Sequence, residues 1–159
     1  MTANCFTVLN FPIHHSVTDL FLKNPILIYL KQNNKTIDIT MSAKRKPVNV
    51  VIGRFQPFTA GHFQMGKDLV SENGAPVVYV YIRSKSGENS QFSDSLTDNY
   101  MSDAVKKYSH IEDAYSMTGS FIPVVIMELQ RRGYEPLLIG AGPDRYKTYA
   151  GMVKRMKNI

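Results

Sequence analysis

The feature that most constrains this chain is a short apolar run that stops at a glycine. Val48-Asn49-Val50-Val51-Ile52 is rich in β-branched residues and ends at Gly53, the form of a strand buried on both faces of a parallel sheet. After a Pro-containing loop, residues 61–73 place Phe63, Met65, Leu69 and Val70 at helical spacing and close on Asn73-Gly74, a helix stop. Residues 75–82 then form a second apolar run, Ala-Pro-Val-Val-Tyr-Val-Tyr-Ile. A strand, a loop, a helix and a second strand in that order indicate a crossover connection and a parallel sheet.

The rest of the chain continues the alternation. Residues 83–95 read as a polar loop of Ser, Gly, Asn and Lys. A helix capped by Ser95 or Thr97 is expected to run through Tyr108, with Asp98 near its positive end. Residues 110–118 suit an irregular strand. Residues 121–132 suit a helix with Pro123 in its first turn, Arg131 and Arg132 in its last and Gly133 as stop. Leu137-Leu138-Ile139-Gly140 reads as a last short strand, and a helix from Asp144 to the tail follows Ala141-Gly142-Pro143. This order predicts an α/β fold, a Rossmann-like parallel sheet with flanking helices.

The first forty residues differ. They contain no glycine and no helical stripe, and residues 31–40 are rich in Lys, Asn and Thr. The expected organisation is an amino-terminal extension over residues 1–46, with Met41 a candidate natural start, and one domain over residues 47–159. At 159 residues and 43% hydrophobic content the chain has material for one domain and not for two full ones. A single cysteine, Cys5, excludes an internal disulfide framework and a thiolate zinc site, which points to a cytoplasmic location. The apolar run at residues 25–30 is far shorter than a membrane span, and the start lacks the basic and cleavage features of a signal peptide.

A formal charge of +6 suits a polyanionic partner. The basic residues are mostly scattered, and Lys44-Arg45-Lys46 and Lys154, Arg155, Lys157 are not interleaved with aromatics as a nucleic-acid platform would be. Those clusters, and Lys106-Lys107 and Arg131-Arg132, read as solvated surface, and nucleic acid is not the expected partner. His14-His15 has no carboxylate or thiol neighbour and reads as loop rather than as a metal site.

The informative string is Gly53-Arg54-Phe55-Gln56-Pro57-Phe58-Thr59-Ala60-Gly61-His62. It lies where open α/β sheets bind ligands, beyond the carboxyl end of a strand. Gly53 allows close backbone approach, and Gly61-His62 opens a helix whose free N–H groups favour an anion. Taken singly, His62 is a capping or packing residue, Arg54 is surface charge and Phe55 and Phe58 are core; the whole string argues otherwise.

These residues resemble the nucleotidyltransferase superfamily with the (H/T)xGH signature, and the longer GRFQPFxxGH form looks most like its nicotinamide mononucleotide adenylyltransferase branch. That branch usually carries histidine where this chain has Thr59. Gly140 and the string Gly142-Pro143-Asp144-Arg145 are similar to the family's later turn, near the nucleotide. The resemblance implies transfer of an adenylyl or cytidylyl group from ATP or CTP to a small phosphorylated acceptor, foremost nicotinamide mononucleotide, as in NAD biosynthesis. Mg2+ would accompany the triphosphate, with no dedicated protein metal site. His62 and Thr59 would be catalytic. Gly53, Arg54, Phe55, Gln56, Pro57, Phe58, Gly61, Arg83, Gly140, Asp144 and Arg145 would bind nucleotide or acceptor. Family members continue to a further strand and a helix with a Ser/Thr-rich triphosphate motif; no such string follows Asp144, so residues 47–159 are expected to lack the carboxyl-terminal part of that domain. A nucleotide-binding module without turnover, a homo-oligomer or complementing chain, and a basic nucleic-acid-binding domain are the competing readings.

Overall fold

The β-branched runs pair as their composition requires. The computed structural model describes residues 7–10, 45–83 and 92–157. In chain order the elements are β1 (Thr7–Asn10), β2 (Lys46–Gly53), α1 (Ala60–Asn73), β3 (Val77–Ile82), α2 (Asp94–Lys107), β4 (Ile111–Met117), α3 (Ile122–Arg131), β5 (Tyr134–Ala141) and α4 (Pro143–Lys157). The strands form one sheet in the order β1-β5-β2-β3-β4. The pairs β2–β3, β2–β5 and β3–β4 are parallel, and β1 lies antiparallel along β5. The protein therefore has a Rossmann-like α/β fold.

Alternation along the central strands sends side chains to two cores. One gathers Val48, Val50, Ile52, Val78, Val80 and Ile139 against Ile122, Val125, Ile126 and Leu129 of α3 and Tyr149 and Val153 of α4. The other gathers Val51, Val77, Tyr79, Tyr81 and Leu138 against Leu69 of α1 and Met101 and Ala104 of α2. Helices thus cover both faces, which is why β2 and β3 carry apolar residues at nearly every position.

Asn49 is the exception, a fully buried amide in β2. Its Nδ2 donates to the carbonyl oxygens of Leu69 (3.1 Å) and Ala75 (2.9 Å) and to Asn73 Oδ1 (2.8 Å), and Asn73 Nδ2 donates back to Asn49 Oδ1 at 2.8 Å. The pair satisfies carbonyls that the end of α1 and the following turn leave open, and so ties the helix to the strand. Gly74, with φ 76°, ends the helix in the left-handed conformation, its N–H on Val70 O.

Several boundaries differ from the sequence reading. α2 starts at Asp94 and is capped by Ser93, whose Oγ accepts from Leu96 N at 3.2 Å; Ser95 and Thr97 are not its caps. Thr97 is instead buried within the second turn. β5 begins at Tyr134 because Tyr134, Glu135 and Pro136 pair with Lys46, Pro47 and Val48, which also extends β2 to Lys46. The irregular strand expected at residues 110–118 is β4, whose register with β3 shifts between Val77 and Val78; its pattern is indistinct because only Ile111 and Tyr115 are buried in it. The expected extension over residues 1–46 and the polar loop fall mostly outside the described residues, as do His14-His15 and Cys5. Thr7–Asn10 of that extension pairs with β5.

Candidate functional site

Parallel pairing puts the carboxyl ends of β2, β3, β4 and β5 at one end of the sheet, together with the amino ends of α1 to α4. The chain steps from β2 outward to β3 and β4, then returns to place β5 on the other side of β2. Between β2 and β5 the strand order reverses, and at such a switch the flanking connections diverge to opposite faces and leave a crevice. Residues 54–59 leave β2 there, and residues 142–145 leave β5 there. The two segments singled out from the sequence are brought together at that point.

The β2–α1 connection is built around Phe55. Its ring is buried, 2% exposed, and its backbone has φ 51°, a left-handed conformation that costs a non-glycine residue about 1–2 kcal/mol. Packing holds it. Phe58, His62 and Tyr79 surround the ring at centroid distances of 5.2, 4.9 and 5.6 Å, all near edge-to-face. A Cβ at position 53 would lie 2.6 Å from Phe55 Cε1, so Gly53 is required by the ring beneath the turn. The Gln56–Pro57 peptide is cis. Gln56 donates to Thr97 Oγ1 at 3.4 Å and accepts from Phe92 N at 3.2 Å, fastening the connection to the start of α2. Arg54, Pro57 and Gly61 are exposed.

Thr59 is the N-cap of α1, and His62 stands at the third helical position. His62 Nδ1 accepts a hydrogen bond from Thr59 N at 3.0 Å and lies 3.0 Å from Thr59 Oγ1. An Nδ1 that accepts from an amide carries no proton, so the neutral ring holds its proton on Nε2. Burial pushes the His62 pKa down. Protonation would also set an Nδ1–H against the Thr59 N–H. The ring is thereby kept neutral, with Nε2–H a donor that has no acceptor among the described residues. The first turn of α1 contains no acidic residue, so nothing there offsets the positive end of the helix dipole. The arrangement offers free backbone N–H groups and an imidazole N–H at one helix start, which is the chemistry of a phosphate site.

No family model, curated protein or solved structure matches the chain.

Across the switch, Gly140 is buried opposite Val51, and a Cβ there would lie 3.0 Å from both Leu69 Cδ1 and Met65 Sδ of α1. Gly140 therefore lets α1 descend onto β2 and β5 together, and its place is under the helix rather than at the surface. Gly142 O accepts from Arg145 N and Tyr146 N, each at 3.0 Å, and starts α4. Asp144 and Arg145 are exposed and stand 3.8 Å apart as an ion pair.

Arg83 leaves the carboxyl end of β3 and binds Asp98 of α2 through a short contact, with Asp94 at 3.9 Å. Tyr81 Oη donates to the same Asp98 at 2.6 Å. The Arg83 guanidinium holds the Asp98 carboxyl below its usual range, and burial followed by the Asp98 carboxylate pushes the Tyr81 phenol up to about 12. Within the fold Arg83 thus anchors β3 to α2. Sequence reasoning missed this cluster, and it missed the roles of Asn49 and Tyr79; a lone amide in a β-branched run was the one signal available. No group of three or more His, Cys, Asp or Glu side chains that could hold a metal occurs among the described residues.

Proposed function

We propose that the protein transfers a nucleotidyl group from a magnesium-bound nucleoside triphosphate, ATP or CTP, to a small phosphorylated acceptor, with release of pyrophosphate. The observation that carries this reading is the position of the Gly53-to-His62 connection beside the Gly142–Arg145 turn, at the reversal of strand order. An acceptor phosphate oxygen attacks the α-phosphorus in line, a new P–O bond forms, and the bond to the β-phosphate oxygen breaks. No protein nucleophile is needed. The protein's part is to position the two reactants and stabilise charge on the transferring group.

His62 Nε2–H and the first N–H groups of α1 support this role, because they are preorganised donors at one place. Thr59 holds the imidazole, and its hydroxyl is the second polar group at the helix start. Arg54 and Arg145 are the exposed cations of the two connections and suit phosphate oxygens. Gln56, Pro57 and Phe58 shape the wall, Phe55 supports it from beneath the turn, and Asp144 suits a ribose or base. Magnesium enters as part of the triphosphate substrate, in keeping with its preference for phosphate and water ligands. Nicotinamide mononucleotide is the foremost acceptor on the resemblance, and the cytoplasm the proposed location. No helix among the described residues is long and apolar enough to cross a membrane.

The test is pyrophosphate release by the full chain with magnesium, ATP or CTP, and a panel of phosphorylated acceptors led by nicotinamide mononucleotide. Turnover that disappears in His62→Ala is the expected result. Nucleotide binding without turnover against any acceptor would replace the enzyme by a binding module. Oligonucleotide binding with a steep salt dependence, and no nucleotide binding, would replace both by a nucleic-acid-binding domain.

A further inference from the structure

Tyr79, in β3, is a fully buried side chain with a polar end. It stands beside Val51 of β2, the strand from which the Gly53-to-His62 connection departs. Its ring meets Phe55 at 5.6 Å and Phe58 at 5.1 Å, both near edge-to-face. Those same two rings border the His62 imidazole, at 4.9 and 5.6 Å. Its hydroxyl donates to His62 O at 3.0 Å, with Phe63 O at 3.4 Å. The phenol oxygen fills the space a side chain at position 66 would need, only 2.0 Å from a Cβ there, and Gly66 leaves that space open. One side chain thus holds the turn and the helix start together.

We propose that Tyr79 is the positioning residue of the candidate site: from a neighbouring strand it sets where His62 Nε2–H points. Its effect on rate rests on the nucleotidyl-transfer reading above. Thr59 N holds the imidazole at Nδ1, and a ring held at one atom is free to pivot about it. Phe55 and Phe58 limit that pivot, and the His62 backbone fixes the stem of the side chain. All three rest on Tyr79, as a reacting group rests on neighbours that lock its rotamer. β2 supplies no equivalent, because Val51 has no polar atom and Gly53 no side chain. Burial pushes the phenol pKa up, so the hydroxyl stays a donor throughout the neutral range. Phenylalanine at this position would keep the ring contacts and lose the hold on α1.

The test is a double-mutant cycle on pyrophosphate release, with Tyr79→Phe and His62→Ala made singly and together in the full chain. Tyr79→Phe is expected to lower kcat about tenfold, less than the 10²-fold that a misplaced group can cost, with KM for the nucleoside triphosphate little changed. In the His62→Ala background the same substitution is expected to change kcat by less than about twofold, because the group it positions is gone. Equal losses in both backgrounds overturn the proposal and leave Tyr79 a packing residue. Nitrogen NMR of the His62 ring supplies a readout without nucleotide. The parent is expected to hold the Nε2–H tautomer, and Tyr79→Phe to show a mixture of both tautomers. Should the parent turn over no acceptor, the functional reading fails, and the NMR arm alone decides: an unmixed tautomer in Tyr79→Phe then overturns the proposal. Circular dichroism establishes that the variant is folded; should it unfold, Gly66→Ala, whose Cβ presses on the same oxygen, takes its place in the cycle.

Discussion

The backbone N–H of Thr59 donates to His62 Nδ1 at 3.0 Å, so the residue that opens α1 also fixes which imidazole nitrogen carries the proton. Cap and candidate catalyst are one contact. His62 therefore serves stability through Nδ1 and, on the proposed function, transition-state charge through Nε2.

Two substitutions separate these roles. His62→Ala should lower turnover by about 10²–10³-fold, the loss typical of one preorganised donor, and cost about 1 kcal/mol through the lost cap. His62→Glu should restore the cap, since a carboxylate at the third position accepts from the N-cap N–H, yet leave turnover as low as in the alanine variant. Pyrophosphate release and chemical denaturation, measured on both variants, check the split. Equal turnover in His62→Glu and the parent would remove Nε2–H from the mechanism.

Stability should fall on mild acidification. The His62 pKa is lowered by burial from 6.5, and that of His110 is lowered by burial and by Lys67. Between the folded and unfolded values the unfolded chain binds more protons, so this contribution is complete above 6.5 and is lost as pH falls below it. Glu128, held to about 2 by Arg131 and Arg132, acts in the same direction but in a more acidic window. Melting temperatures at about pH 7.5 and about pH 5.5, chosen to bracket the histidine range, should differ in the parent and differ less in His62→Gln.

Asn49→Ala should destabilise the fold by about 2–4 kcal/mol. It leaves the Leu69 and Ala75 carbonyls and Asn73 without their buried partner, and an unsatisfied buried group costs about 1–3 kcal/mol. Urea denaturation measures it. A cost below about 0.5 kcal/mol, the size usual for a surface substitution, would show that the amide pair is dispensable.

Gly66 and Tyr79 should behave as a coupled pair. A Cβ on Gly66 would fall 2.0 Å from Tyr79 Oη, which donates to His62 O at 3.0 Å. Gly66→Ala is expected to cost about 1–3 kcal/mol through overpacking, and Tyr79→Phe about 1 kcal/mol through the lost hydrogen bond. The double variant should recover part of the alanine cost, because Oη is the nearest obstacle. A double-mutant cycle with no coupling, where contacting pairs give about 0.5–3 kcal/mol, would contradict the packing.

The sequence determined the local elements and their order. β-branched runs near Val50 and Val78, stops at Gly74 and Gly133, and the alternation of strand with helix leave little but a parallel α/β sheet, because burial on both faces and crossover connections follow from local pattern alone. It also placed the Gly53-to-His62 connection at a strand end. Tertiary structure decided what depends on residues distant in the chain. β5 lies beside β2 rather than beside β4, which creates the switch between the two candidate segments. Gly140 serves close helix packing, and Arg83 is bound by Asp98, because their neighbours come from α1 and α2. Asn49 could be seen as out of place in its strand, but its partners lie 20 or more residues away. The pairing of Thr7–Asn10 with β5 was equally hidden, since backbone hydrogen bonds leave little trace in side-chain pattern. Local pattern records which face of an element is buried; the partner that buries it is set by the packing of the whole chain.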